Sequence, residues 1–178
     1  MTLPDSQQAL RDRLIGQPLP STTLPATDGQ TVDLSRERGL CVVFIYPRSG
    51  NPHLPAPAEM ASVPGAKGCT PQACGFRDHF QDFAALGATR LFGLSSQDTA
   101  YQQELIERIQ LPYPLLSDPA CRLGEALGLP LYQAGPIRVY GRAALVIDNG
   151  RVAQLFSDIP DPANNAGQVL DWLRQARC

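Results

Sequence analysis

Residues 40–46, Leu-Cys-Val-Val-Phe-Ile-Tyr, form an unbroken apolar run rich in β-branched and aromatic side chains, and Pro47 ends it. That pattern predicts a strand buried on both faces of a sheet. Two short stretches, 22–27 and 30–34, flank Asp28-Gly29, a pair that tolerates positive φ, and predict a β-hairpin. Downstream the pattern predicts a helix over 71–86, a strand over 90–95, a helix over 99–109, a short strand over 114–116 and a helix over 120–127. A second hairpin is expected from 143–147 and 151–156 across Asp148-Asn149-Gly150, then a terminal helix over 163–177. Hairpin, βαβα, hairpin and helix in that order predict a mixed central sheet flanked by helices, the α/β plan of thioredoxin-like folds. Trp172, Val169, Leu170 and Leu173 give the terminal helix an apolar face for the sheet, and Phe76 and Phe80, four apart, read as core. Phe44 and Tyr46 alternate with Val43 and Ile45, so one of them can line a pocket at the strand's end.

Composition narrows the function classes. With 178 residues and 43% hydrophobic content, the chain is long enough for one domain over 1–178 with its own core. The net charge of −2, with acids and bases interspersed, offers no basic stripe for a nucleic acid and no polybasic patch for a membrane surface. The expected partner is a small molecule or a protein. Residues 1–13 are polar, without the apolar core of a signal peptide, and no later run is long enough to span a bilayer, so a cytoplasmic location is expected. Five cysteines in such a compartment point to catalytic rather than structural disulfides.

The chemistry centres on Gly68-Cys69-Thr70-Pro71-Gln72-Ala73-Cys74. This segment stands where a turn should meet the first turn of the 71–86 helix, whose unpaired N–H groups and positive dipole end make a sulfur easier to ionise. Thr70 is the expected N-cap hydroxyl, and Pro71 suits the first turn. Ahead of it, 48–67 is irregular and rich in Pro and Ala, long for a loop in a compact domain, and reads as an active-site flap rather than a surface insertion without a role.

Four groups of residues resemble one known family: Phe44-Ile45-Tyr46-Pro47, the stretch from Gly68 to Asp78, Leu116-Ser117-Asp118-Pro119, and Gly141-Arg142-Ala143-Ala144-Leu145-Val146-Ile147-Asp148. Together they look like peroxiredoxins of the bacterioferritin-comigratory-protein or Q type, over the chain from about Gly16 onward. The resemblance implies that Cys69 is the peroxidatic cysteine, Cys74 the resolving cysteine and Arg142 the activating arginine. Tyr46, Pro47 and Thr70 become candidates for the substrate pocket. It implies a thiol-dependent peroxidase acting on hydrogen peroxide or organic hydroperoxides, with the disulfide reduced by a thioredoxin-type or other thiol reductant. No cofactor or metal is implied, and both monomers and homodimers occur among such relatives. One departure stands out. The family's Thr three residues before the peroxidatic Cys is replaced by Ala66, or, counting forward from Pro47, by Asn51-Pro52 followed by an insertion. Ser49, Asn51, Thr70 or a loop backbone group is then needed to supply the missing hydrogen bond.

The reaction itself needs two sulfurs and a cation. A thiolate attacks one hydroperoxide oxygen and displaces water or alcohol, and the sulfenic acid condenses with a second thiol. An always-charged guanidinium at 142 can hold the anionic sulfur and the leaving oxygen, whereas Lys67 and Arg48 read as solvated loop charges. In an intact helix, residues five apart stand about 7.5 Å apart along the axis and about 140° around it, so their Cα atoms lie roughly 8 to 9 Å apart. A disulfide needs less than about 7 Å, so turnover requires local unwinding near Cys69, and Gly75, costing about 1 kcal/mol of helix propensity relative to Ala, helps.

Competing readings of the thiols are weaker. A metal site of Cys69, Cys74 and His79 fails because five-residue steps spread the ligands around the helix. A thioredoxin-like oxidoreductase would have two residues between its cysteines. A non-enzymatic redox sensor using the same pair is the alternative from another class. Cys41, inside the buried strand, reads as an inert small hydrophobe, Cys121 as structural or semi-exposed, and Cys178 as an adventitious terminal thiol, with a disulfide to another subunit as the alternative. His53 and His79 lack an obvious acidic neighbour in the sequence and receive no role.

Overall fold

The computed structural model describes residues 5–176, so Arg177, at the end of the expected terminal helix, and Cys178 lie outside the described residues. Helix α1 (Asp5–Leu14) leads into the hairpin β1 (Thr23–Pro25) and β2 (Thr31–Asp33). Next come β3 (Leu40–Ile45), α2 (Cys69–Asp78), α3 (Phe80–Ala85), β4 (Ala88–Ser95), α4 (Thr99–Ile109), β5 (Leu115–Ser117) and α5 (Arg122–Leu127). The hairpin β6 (Leu131–Ala134) and β7 (Ile137–Tyr140), the hairpin β8 (Ala143–Asp148) and β9 (Arg151–Phe156), and α6 (Asn165–Ala176) complete the chain.

All six residues of β3 are buried, as its unbroken apolar run predicts. It lies at the centre of a five-stranded sheet ordered β5-β4-β3-β8-β9, parallel to β4 and antiparallel to β8. Its alternating side chains serve two cores. Cys41, Val43 and Ile45 pack with Leu14, Leu24, Leu123 and Leu127 on one side, while Val42, Phe44 and Tyr46 pack with Phe76, Leu105, Leu170 and Leu173 on the other. This is the mixed sheet between helices expected of a thioredoxin-like α/β fold. Among the described residues no helix is long and apolar enough to cross a membrane.

The expected helix over 71–86 starts earlier and is broken. α2 begins at Cys69, and His79, at φ −100° and ψ 12°, separates it from α3. The break lets the rings of Phe76 and Phe83 stack at 5.4 Å, whereas positions seven apart on a continuous helix are offset by about 10.5 Å along the axis. His79 does have an acidic neighbour: Nδ1 lies 2.8 Å from Asp82 Oδ2 at the exposed start of α3. Trp172 packs edge-on against Phe156 of β9, as its apolar helix face predicts.

Two elements went unpredicted, α1 and the β6–β7 hairpin. The hairpin receives the 48–67 segment: a 3-10 turn at Ala58–Ser62 brings Met60, together with Val63, against Ala134 and Val139. The segment is therefore anchored at its middle, and its last residues run back to the start of α2.

Candidate active site

Helix α2 opens at Cys69 directly after Gly68, whose φ of 107° takes the N-cap position with no side-chain cap. Thr70 is consequently inside the first turn rather than at the cap. Glycine is required at 68 twice over: the backbone is in the left-handed region, and a Cβ would stand 2.7 Å from Pro162 Cγ. Pro71 falls in the first turn, where its missing N–H costs nothing.

Cys69 is 4% exposed and Cys74 is half-buried; both thiols are free, and both lie within the unbroken helix. From the strand end two residues after Tyr140, Arg142 reaches across to the helix start. Its Nη2 lies 3.3 Å from Cys69 Sγ and donates to the carbonyls of Gly65 and Lys67, the latter at 3.0 Å, while Nη1 donates to Gln72 Oε1. These partners are uncharged oxygens and a sulfur, which leaves the guanidinium's full charge facing the thiol. The end of the 48–67 segment thus acts through its backbone, and the exposed Lys67 contributes a carbonyl.

Gln72, Asn165 and Gln168 carried no sequence signal of a role at the site. Gln72, three residues after Cys69 and so on the same helix face, is wholly buried and donates Nε2 to Asn165 Oδ1 at 2.9 Å. Asn165, also wholly buried, donates to Gln168 Oε1 at 3.1 Å, and Gln168 donates to the Asp158 carbonyl at 3.0 Å.

Tyr46 and Pro47 are buried at the end of β3, and Tyr46 shares an apolar cluster with Cys69. Burial pushes the ionisation of the Tyr46 hydroxyl well up, and Cys69 adds to the shift. Of the candidates to replace the missing Thr, Ser49 and Asn51 are engaged elsewhere. Ser49 donates its hydroxyl to Gln97 Oε1 at 3.1 Å, and Asn51 Oδ1 accepts from the His53 backbone at 2.8 Å. A cavity of about 380 Å³ flanks Arg142, walled by Pro64, Gly65, Lys67, Tyr132 and Asp158.

The remaining described thiols stand apart. Cys41 is wholly buried in β3, and burial raises its pKa strongly. Cys121 is wholly buried before α5 at φ 52°, and burial, with Asp118 adding to it, pushes its thiol up to about 11.

The redoxin family pattern matches residues 14–170. The peroxiredoxin Q of Oryza sativa subsp. japonica is 32% identical over 161 residues, covering 89% of this chain and 66% of its own length. That of Sedum lineare is 31% identical over 164 residues, covering 91% and 78% respectively. In three dimensions the chain resembles peroxidoxin BcpB from Mycobacterium tuberculosis with a TM-score of 0.75 and 27% identity, over 93% of this chain and 99% of that one. The chain belongs to the redoxin family and, within it, to the peroxiredoxins of the Q type. It spans just under two thirds of the rice protein's length.

Proposed function

We propose that the protein is a thiol-dependent peroxidase that reduces hydrogen peroxide or organic hydroperoxides through Cys69, Cys74 and Arg142. The observation that carries this reading is the Arg142 guanidinium nitrogen 3.3 Å from a nearly buried cysteine sulfur at a helix start. A guanidinium and the helix N-terminus both stabilise negative charge on sulfur and on the departing oxygen, while burial excludes competing water. The Cys69 thiolate attacks the nearer peroxide oxygen, the O–O bond breaks, and the leaving oxygen takes a proton to depart as water or alcohol. The sulfenic acid then condenses with the Cys74 thiol, releasing water, and a dithiol reductant of the thioredoxin type returns both thiols by exchange. Tyr46, Pro47 and Thr70 belong to the substrate pocket of this reading, supported for Tyr46 by the apolar cluster it shares with Cys69, and the cavity of about 380 Å³ beside Arg142 offers room for the organic part of a hydroperoxide. The steps as written balance with the two thiols, the peroxide and the dithiol reductant alone. A cytoplasmic location belongs to the same reading; the plant relatives are named as chloroplastic.

Peroxide consumption by the reduced protein with a thioredoxin-type reductant, compared between wild type and Cys69→Ser, tests the proposal. Catalytic consumption lost in Cys69→Ser is the expected result. Oxidation of the wild type once, without turnover in the presence of reductant, overturns it in favour of a redox sensor.

A further inference from the structure

Three contacts tie one face of α2 to a short segment after β9. At the N-cap, Gly68 sits so close to Pro162 that a Cβ would lie 2.7 Å from the ring. One turn on, Gln72 donates to Asn165 Oδ1 at 2.9 Å, with both side chains fully buried. A further turn on, a Cβ at Gly75 would stand 2.8 Å from the Ala163 carbonyl oxygen. Positions 68, 72 and 75 follow the i, i+4, i+7 spacing of a single helix face. The segment that meets them is itself fixed: the Asp161 carboxylate accepts from the Ala163 N–H at 3.2 Å, and Asn165 is held through Gln168 to the Asp158 carbonyl. Gly75 therefore has a packing role beside its weakening of the helix.

We propose that residues 162–165 form a clamp that sets how readily the segment from Cys69 to Cys74 unwinds, with Asn165 as its positioning residue. Gln72 is the shared part. Its oxygen accepts from Arg142 and its nitrogen donates to Asn165, so unwinding strips a buried partner from each at once. The clamp thereby favours the folded helix, with the guanidinium on the sulfur. It also divides the sulfenic acid between two fates, and this consequence rests on the peroxidase reading. Condensation with Cys74 forms the S–S bond, breaks the S–O bond and releases water, and it needs the helix unwound. Attack by the sulfenic sulfur on a second hydroperoxide transfers one oxygen, giving the sulfinic acid and releasing alcohol or water, and it proceeds with the helix folded. A tighter clamp favours the second fate.

The experiment is hydrogen exchange followed by mass spectrometry on the reduced full-length protein, without peroxide, for wild type, Asn165→Ala and Gly75→Ala. Loss of the Asn165 acceptor is expected to speed exchange at amides 72–76 about ten-fold while β3 and β4 exchange as in wild type. Gly75→Ala is expected to do the same, despite alanine's higher helix propensity, because its methyl meets the Ala163 carbonyl. Unchanged exchange at 72–76, or an equal rise across the sheet, overturns the clamp. A second arm measures sulfinic acid at Cys69 per turnover with peroxide and reductant, where Asn165→Ala is expected to lower it several-fold. Local exchange that rises while the sulfinic fraction stays fixed overturns the division of fates. A local rise in protein that consumes no peroxide, wild type included, supports the clamp and removes the peroxidase reading instead.

Discussion

Arg142 and Cys69 are 73 positions apart in sequence, yet a guanidinium nitrogen of the first lies 3.3 Å from the sulfur of the second. The same guanidinium binds Gln72 and the carbonyls of Gly65 and Lys67, which fix its fork in one plane. Lysine keeps the charge but offers a single ammonium that cannot serve these acceptors and the sulfur together. Arg142→Lys is therefore expected to lower kcat/KM for peroxide by about 10²-fold, the scale of losing one preorganised charge-stabilising donor. Stopped-flow oxidation of the reduced protein checks this, and a loss under three-fold would show that charge alone suffices.

Cys74 stands five residues after Cys69 on an intact helix. Cys74→Ser is expected to leave the first oxidation by peroxide at the wild-type rate and to abolish turnover with a thioredoxin-type reductant, because the sulfenic acid then has no intramolecular thiol partner. Mass spectrometry after one equivalent of peroxide should find Cys69 as sulfenic acid, and after an excess as sulfinic acid. Normal turnover in this variant would move the resolving role to another thiol.

Much of the fold was legible because its signals are local. The run 40–46 has the composition of a doubly buried strand and is one, and the Asp28-Gly29 and Asn149-Gly150 turns sit where their hairpins need positive φ. The break at His79 was not legible: no proline or glycine marks it, and it goes with a tertiary arrangement, Phe76 stacked on Phe83 and on the strand residue Phe44, that local sequence does not encode. The β6–β7 hairpin did carry a signal, Gly135-Pro136 between alternating runs, that went unread. At the site the cysteine pair and Arg142 were visible as motifs. The hydrogen-bond chain from Gln72 to Asn165 joins α2 to α6 across 93 positions and has no trace in either local sequence.

Arg142 leaves the sheet just after Tyr140, whose buried hydroxyl donates to Asp118 Oδ2 at 2.6 Å and accepts from the Gly124 N–H at 3.0 Å. Asp118, 2% exposed, also accepts the backbone N–H groups of Arg122 and Leu123 and so caps α5. Tyr140→Phe removes one donor from a buried carboxylate and orphans a buried N–H, so a loss of about 2 to 3 kcal/mol in unfolding free energy is expected. Urea denaturation monitored by circular dichroism measures it. Activity should fall far less than in Arg142→Lys, because the guanidinium keeps all its own partners.

Alkali should destabilise the protein from the pH at which unfolded cysteines ionise. Burial raises the ionisation of Cys41, Tyr46, Tyr113 and Tyr140 above their ordinary values, and the Cys121 thiol is pushed up to about 11. The folded state holds these protons where the unfolded chain releases them, so stability is whole below the unfolded cysteine range, near pH 8.5, and declines as pH rises through it. For Cys121 the decline runs from about pH 8.5 to 11, and the tyrosines extend it upward. Urea midpoints taken between pH 7 and 11 should be level to about pH 8 and then fall, and Cys121→Ala should reduce the slope between pH 9 and 11 by one proton's worth. Over the same range below pH 9, alkylation of the folded protein should spare Cys41 and Cys121, whose thiols are both buried and protonated. A flat midpoint to pH 11, or labelling of either thiol as fast as in the unfolded chain, would contradict the buried, protonated state that the structure gives them.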